Sequence, residues 1–314
     1  MLQSTKLVIS PMAGVTDAPF RDIARQCGAD YGISEMITSQ TKLWGNRKTK
    51  FRLRSHFVEK PKIIQISGAS PEYVYEAAAS CLGLGVDAIE INMGCPAKKV
   101  CNVLAGSALL KDEALVAKIL RAAVDAVDIP IYLKTRLGWD HNNKNILTIA
   151  QMAQDIGVKS IAIHGRTRSD FYTGEADFAL IAEVKRRLQI PVFANGDIIS
   201  PEKALQVMQQ TDADGLYIGR GALGKPWLFQ QIKDYFATGY YATPDKDFII
   251  ELMLQHIELI HQHYGEVLGV RYARKHFKWY LQANLSILGD ITALFDVFAK
   301  IEGVDEQLAF IERL

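Results

Sequence analysis

The chain has 314 residues, 49% of them apolar and 23% charged, with a formal net charge of +1. This is ordinary globular composition, longer than one average domain yet suited to a barrel of about 250 residues with a small addition. It excludes a membrane span, since no stretch of about 18 uninterrupted apolar residues occurs, and a global basic field of the kind that announces nucleic acid.

In chain order, residues 1–10 lack a basic region followed by a long apolar one, so no signal peptide is expected. Short β-rich runs then recur over 7–10, 31–36, 62–67, 88–92, 131–136, 160–164, 191–195 and 215–218. Most are continuously apolar, as strands of a parallel sheet covered on both faces are. Amphipathic stretches over 71–82, 113–126, 146–155 and 201–210 separate them, two opening on Ser-Pro pairs (Ser70-Pro71, Ser200-Pro201) that cap a helix and start its first turn. Eight strands alternating with helices describe either a (β/α)8 TIM barrel or a doubly wound sheet. Past residue 242 the β runs stop, and Thr243-Pro244-Asp245 reads as a linker. Helical patterns follow near 246–264, 268–284, 289–300 and 304–312. In the first, Ile249, Leu252, Met253, His256, Ile260 and Tyr264 recur at helical spacing. The expected organisation is a barrel over 1–242 and a small helical bundle over 243–314.

Polar and glycine residues gather where the apolar runs end, at Pro11-Met12-Ala13-Gly14, Glu35, Gln65, Asn92 to Pro96, Lys134 and Arg136, His164-Gly165-Arg166, Asn195-Gly196-Asp197 and Gly219-Arg220-Gly221. In a barrel these share the C-terminal rim, where active sites sit. Gly219 to Gly224 spells G-x-G-x-x-G, yet Lys225-Pro226-Trp227 follows instead of a second strand ending in an acid. A phosphate cradle of backbone N–H groups, with Arg220 beside it, suits the segment better than a dinucleotide fold. A turn that binds nothing stays open. Cys95 lies between Gly94 and Pro96, with Lys98 and Lys99 just beyond, a setting that could tune a thiol for acid–base work. Cys27, Cys81, Cys95 and Cys101 form no C-x-x-C pair and no zinc spacing, so free thiols in a reducing compartment and no metal are expected.

These segments resemble the tRNA-dihydrouridine synthase family: Pro11 to Asp17, Ile89 to Val100, Lys134 to Trp139, His164 to Arg168, Ala194 to Ile198 and Tyr217 to Gly221, in family order, with Ala273-Arg274-Lys275-His276 in the helical tail. The runs 97–100 and 105–110 look most like the bacterial B-type branch. The resemblance implies a TIM barrel in which Pro11, Met12 and Ala13 line the ring of a bound FMN. It implies that Gln65 and Lys134 hydrogen-bond the ring edge, with His164 nearby. Asn195, Gly196, Asp197, Gly219 and Arg220 would bind the ribityl chain and phosphate. Cys95 would donate a proton, while Asn92, Arg166 and Arg168 approach the uracil or its nucleotide. NADPH would be the transient reductant and the D-loop of tRNA the substrate, for a monomer in the cytoplasm.

Two basic stripes could serve RNA. Residues 42–54 carry Lys42, Arg47, Lys48, Lys50, Arg52 and Arg54 and no acid. Arg271, Arg274, Lys275 and Lys278 fall at i, i+3, i+4 and i+7 on one helix face, with Val270, Ala273, Phe277 and Leu281 on the apolar one. The tail as a whole is acidic, with 7 basic residues against 11 acidic over 245–314. Rival readings are an FMN barrel reducing a small molecule, a Schiff-base aldolase using Lys134, and an RNA-binding protein without catalysis.

Overall fold

A computed structural model describes residues 2–54, 60–289 and 291–314. Among them the β runs form one parallel sheet of β1 (Lys6–Ile9), β2 (Tyr31–Gly32), β3 (Ile37–Thr38), β4 (Ile63–Ser67), β5 (Ala88–Met93), β6 (Ile131–Arg136), β7 (Ser160–His164), β8 (Val192–Asn195) and β9 (Gly215–Ile218). Their hydrogen-bonded order is β2-β1-β9-β8-β7-β6-β5-β4-β3. The two ends of that order, β2 and β3, belong to one stretch of chain, and Ile33 between them bridges to Ile63. The sheet thus curls round into a TIM barrel.

The run expected over 31–36 is divided. Ser34 interrupts the ladder because its side chain takes a donor of β4, and Glu35 turns its carboxylate to the rim loop. Ser34 Oγ accepts from the Gln65 N–H at 3.0 Å, and Glu35 accepts from the Gly14 N–H and faces Arg52 Nε at 3.5 Å.

Side chains alternate between the two faces of each strand. Ile89, Ile91 and Met93 face the helices, in one core with Val116, Ile119 and Leu120. The opposite set turns into the barrel. There an apolar floor of Val8, Ile63, Ala88, Ala162 and Phe193 gives way upward to polar residues. That change of chemistry along the barrel axis makes the rim a site and the base a core.

The covering helices are α1 (Ala18–Gln26), α2 (Arg47–Leu53), α3 (Pro71–Leu82), α4 (Lys98–Cys101), α5 (Glu113–Asp125), α6 (Ile146–Ile156), α7 (Ala179–Arg187), α8 (Pro201–Thr211) and α9 (Leu228–Thr238). The expected caps form: Ser70 Oγ accepts from Tyr73 N and Ser200 Oγ from Lys203 N. Each such cap contributes about 1 kcal/mol.

The tail comprises α10 (Lys246–Ala283), α11 (Leu285–Leu288), α12 (Ile291–Phe298) and α13 (Val304–Ile311). Gly265, at φ +76°, breaks α10 where the first two helical patterns were expected to part. Ile249, Met253, Ile257 and Ile260 pack with Ala273, Phe277, Phe298 and Ile311 around barrel residues Ile23, Cys27 and Trp227. Full burial of each large side chain is worth about 1.5–3 kcal/mol. Where α10 meets α1, Asp17 Oδ1 caps α1 and Oδ2 accepts from Tyr264 Oη at 2.9 Å. Burial alone would raise the Asp17 carboxyl, but His276, its Nε2 3.8 Å away, and the charge of Lys275 hold it well below the usual range. Among the described residues, no helix is long and apolar enough to cross a membrane.

Candidate active site

The strand ends open on one cavity of about 890 Å³, within the roughly 300–1,000 Å³ of small-molecule sites. Around its wall stand Pro11, Met12 and Ala13 after β1, Gln65 of β4, Asn92 and Cys95 of the β5 end, and Lys134 of β6. His164 of β7, Asn195, Gly196 and Asp197 of the β8 end, and Gly219 and Arg220 after β9 stand there too. Lys134, Asn92, Gln65 and His164 are each less than a tenth exposed.

A continuous hydrogen-bond chain crosses the floor of this cavity. Tyr217 Oη donates to Glu90 Oε2 at 2.9 Å, and Gln65 Nε2 donates to Glu90 Oε1 at 2.6 Å. Asn92 Nδ2 donates to Gln65 Oε1 at 2.8 Å, while Asn92 Oδ1 accepts from the N–H groups of Gly94 (3.2 Å) and Cys95 (3.0 Å). Lys134 Nζ donates to Asn195 Oδ1 at 2.8 Å, and Asn195 Nδ2 to the Tyr217 carbonyl. Burial raises the Glu90 carboxyl and lowers the Lys134 ammonium, and their mutual attraction opposes both shifts.

Cys95 is held from both sides. Its carbonyl accepts from Ser107 N (3.1 Å) and Ser107 Oγ (2.9 Å), with the Cys101 thiol 3.6 Å away. Arg136 Nε donates to the Gly94 carbonyl at 2.8 Å, one residue before it. Burial pushes the Cys95 thiol up from its ordinary value, and the Arg136 charge acts the other way. The group is therefore a neutral thiol, suited to giving a proton rather than attacking as a thiolate. Lys98 and Lys99, the expected tuners of this thiol, are exposed; the charge that reaches it is Arg136. Burial, then the charges of Arg136 and Lys134, keep the His164 ring neutral.

The β8 and β9 ends form the glycine-rich corner. A Cβ on Gly221 would lie 2.0 Å from the Ile198 carbonyl oxygen, so the two loops close against each other only through glycine. Arg220, half exposed, lies over the Tyr172 ring at 4.7 Å and 3.6 Å from Asp197.

Not every expected residue reaches the cavity. Arg166 is buried and spends its guanidinium on Asp197, bonding both carboxylate oxygens at 2.8 and 2.7 Å, and on the carbonyls of Thr173 and Gly174. Asp197 also accepts from Ala176 N. This pair ties down the loop after β7. Arg168 does not line the cavity but lies behind its wall, over the rings of Trp139 (4.6 Å) and of the wall residue Phe171 (4.8 Å). On α10 the basic stripe divides. Lys275 Nζ donates to the Gly14 carbonyl and Arg274 to the Ile301 carbonyl, both half-buried, whereas Arg271 and Lys278 stay exposed. A helix face at ideal spacing is covered wherever another element packs on it. Here the rim loop takes Lys275 and the segment before α13 takes Arg274.

With this geometry in place, comparison with known proteins is decisive. A family model described as dihydrouridine synthase (Dus) matches residues 8–311. The chain belongs to the dihydrouridine synthase family. It is 49% identical over 310 residues to tRNA-dihydrouridine synthase B of Pseudomonas aeruginosa, covering 98% of this chain and 92% of that one. It is 46% identical over 308 residues to the protein of that name from Vibrio cholerae, covering 98% and 94%. Among solved structures, the old yellow enzyme homologue from Zymomonas mobilis superposes with a TM-score of 0.50 at 12% identity, covering 78% of this chain and 91% of that one. That likeness concerns the barrel fold alone.

Glu90, Tyr217 and Tyr172 also belong to the site of this synthase, and none of them stood out as a site residue in the sequence. The signal for Glu90 was present: it sits two residues before Asn92, so the strand alternation that turns Asn92 inward turns Glu90 inward too. Tyr217 carries the same signal relative to Gly219. Tyr172, on the loop after β7, has no such marker.

Proposed function

We propose that the chain reduces a uridine in the tRNA D-loop to 5,6-dihydrouridine in the cytoplasm, acting as a monomer with FMN in the rim cavity and NADPH as reductant. The observation that carries this reading is the placing of a neutral, anchored thiol at the β5 end and a glycine-rich corner at the β9 end, on opposite sides of one cavity with β6, β7 and β8 between them. A ring lying between them meets both.

The residues fit FMN. Pro11, Met12 and Ala13 offer an apolar wall, and Lys134 and His164 offer polar edges. The corner at Gly219-Arg220-Gly221 is where a barrel of this type holds phosphate, with Arg220 half free to pair with it. Bound and reduced, the flavin supplies a hydride to C6 of the uracil. The rest of the chemistry belongs to the chain. Cys95 gives its thiol proton to C5 from the opposite face. The Asn92 and Ser107 bonds keep that thiol at a fixed place while negative charge grows on the ring. Lys134 would hold the edge of the bound flavin and supply a positive charge there.

In this reading residues 1–242 carry the chemistry and 243–314 the helical RNA contacts. The target base must leave its stack, which costs a few kcal/mol, and exposed cations on α2 and α10 compensate by pairing with phosphates. Because Arg274 and Lys275 serve the packing of the tail, Arg271 and Lys278 are the residues to change. Arg271→Glu with Lys278→Glu is expected to weaken tRNA binding and reduce the slope of log K against log salt by roughly 0.7–0.9 for each phosphate no longer neutralised. Filter binding at several salt concentrations checks this; an unchanged slope refutes it.

The function itself is tested spectroscopically. The purified protein should show a flavin spectrum that NADPH bleaches and unmodified tRNA restores. A colourless protein trapped on Lys134 by borohydride would indicate an aldolase. Restoration by free pyrimidine as fast as by tRNA would indicate a small-molecule reductase.

A further inference from the structure

Gly14 does not line the cavity, yet the residues on either side of it, Ala13 and Val15, do. We infer that Glu35 and Lys275 are positioning residues for the cofactor: by holding the two peptide groups that flank Gly14, they set the part of the wall that a bound flavin ring lies against. This rests on the reading that a flavin occupies the rim cavity. It gives Lys275 a task other than the RNA contact that its spacing on α10 suggests.

The loop between β1 and α1 has little to hold its apex from within. Its internal bonds gather on Met12. The Met12 carbonyl accepts from Val15 N and Thr16 N, each at 3.0 Å, and Met12 N donates to Thr16 Oγ1 at 2.8 Å. Gly14 takes no part in these bonds. It sits at φ +75°, where glycine moves between conformations at little cost, and a Cβ there would meet nothing within 4 Å. Two side chains from other elements supply what the turn lacks. The Gly14 N–H, part of the peptide to Ala13, donates to Glu35 Oε1. The Gly14 carbonyl, part of the peptide to Val15, accepts from Lys275 Nζ. Both bonds join a peptide group to a charged side chain, the stronger kind. With both peptide planes fixed, the directions of the Ala13 and Val15 side chains follow.

Each clamp has its own brace. Behind Glu35, Arg52 Nε of α2 lies 3.5 Å away, and Arg52 Nη1 donates at 2.7 Å to the carbonyl of Met36, itself a wall residue. Behind Lys275, the ammonium lies 4.3 Å from the centre of the Tyr272 ring, which stacks on Tyr264 at 4.0 Å. Tyr264 Oη in turn donates to Asp17 Oδ2, where the loop enters α1. Helix α10 thus grips the loop at its apex and at its exit. Glu35 is buried and Lys275 half-buried, so salt screens these bonds less than it does surface pairs. The tail, which carries the RNA contacts, also holds one wall of the cofactor site.

The test measures FMN binding by the apoprotein of the full chain, the visible circular dichroism of the bound flavin, and tRNA binding at several salt concentrations. In Lys275→Met the FMN dissociation constant should rise about tenfold, the size of one hydrogen bond to a charged group. The flavin dichroism should change with it, while the salt slope of tRNA binding stays that of wild type. Lys275→Arg, which keeps a cationic donor, should return both flavin readouts toward wild type. Glu35→Gln reaches the same glycine from the barrel side. It should move both readouts in the same direction by less, since an amide oxygen still accepts from Gly14, and it carries the test should Lys275→Met fail to fold. The inference is overturned if folded variants keep wild-type affinity and dichroism and lose only thermal stability, as a merely structural role would give. It is overturned equally if Lys275→Met lowers the salt slope, as the loss of a phosphate contact would. Wild-type apoprotein that takes up no FMN overturns instead the cofactor reading beneath it.

Discussion

Cys95→Ala will lower the rate of tRNA reduction by about 10²–10⁴, the range that a positioned proton donor contributes, while leaving the flavin bound and reducible by NADPH. The separation of the two half-reactions follows from the placement of the residue. Cys95 belongs to the β5 loop, and its anchors are Asn92 and Ser107. The residues expected to hold the cofactor come from other strand ends. Stopped-flow measurement of flavin bleaching and of its return with tRNA distinguishes the halves. Loss of both together would mean that the substitution collapsed the cavity, and loss of neither would remove Cys95 from the chemistry. Cys95→Ser is expected to fall between, because a hydroxyl gives its proton far less readily than a thiol.

Lys134→Met is expected to cause the larger loss of stability and to abolish stable flavin binding. The substitution leaves Asn195 Oδ1 without its 2.8 Å donor and Glu90 without a counter-charge. Leaving a buried acceptor without its partner costs about 1–3 kcal/mol. The sign of its pH dependence follows from Glu90. Its carboxyl is raised by burial even with Lys134 present, and without the ammonium it rises further. A group raised in the folded state supports folding at low pH, where both states are protonated alike, and loses that support as pH climbs through the folded value. The deficit of Lys134→Met against wild type should therefore stay constant from the ordinary carboxylate range of about 4.3 up to about 7, where Glu90 ionises in the folded wild type, and grow above it. Denaturant midpoints at acidic and mildly alkaline pH check this. Equal deficits at both would show that Glu90 does not feel Lys134.

Much of the barrel was legible because its strands are buried on both faces. Continuous apolar runs ending in glycine, asparagine or a charge gave the bounds of β6, β7 and β9 as they stand in the structure. The division at Ser34 and Glu35 was not legible, since it depends on Gln65 and Gly14 lying opposite them, which only the closed barrel brings about. At the site, the strand ends did converge, but convergence is not contact. Arg166 satisfies the motif and yet faces Asp197, because a buried guanidinium must find acceptors wherever the loop after β7 provides them. Lys275 shows the same limit from the other side. Helical spacing placed it on the basic face, and the rim loop at Gly14 then covered it.

The claim beneath all of this is geometric: thiol and flavin meet one uracil from opposite faces. The stereochemistry of addition measures it directly. With deuterium delivered from reduced flavin and the reaction run in deuterium oxide, NMR of the released dihydrouridine reads which faces of C5 and C6 received it. Deuterium should appear on opposite faces, a trans addition. Addition of both to the same face would contradict it.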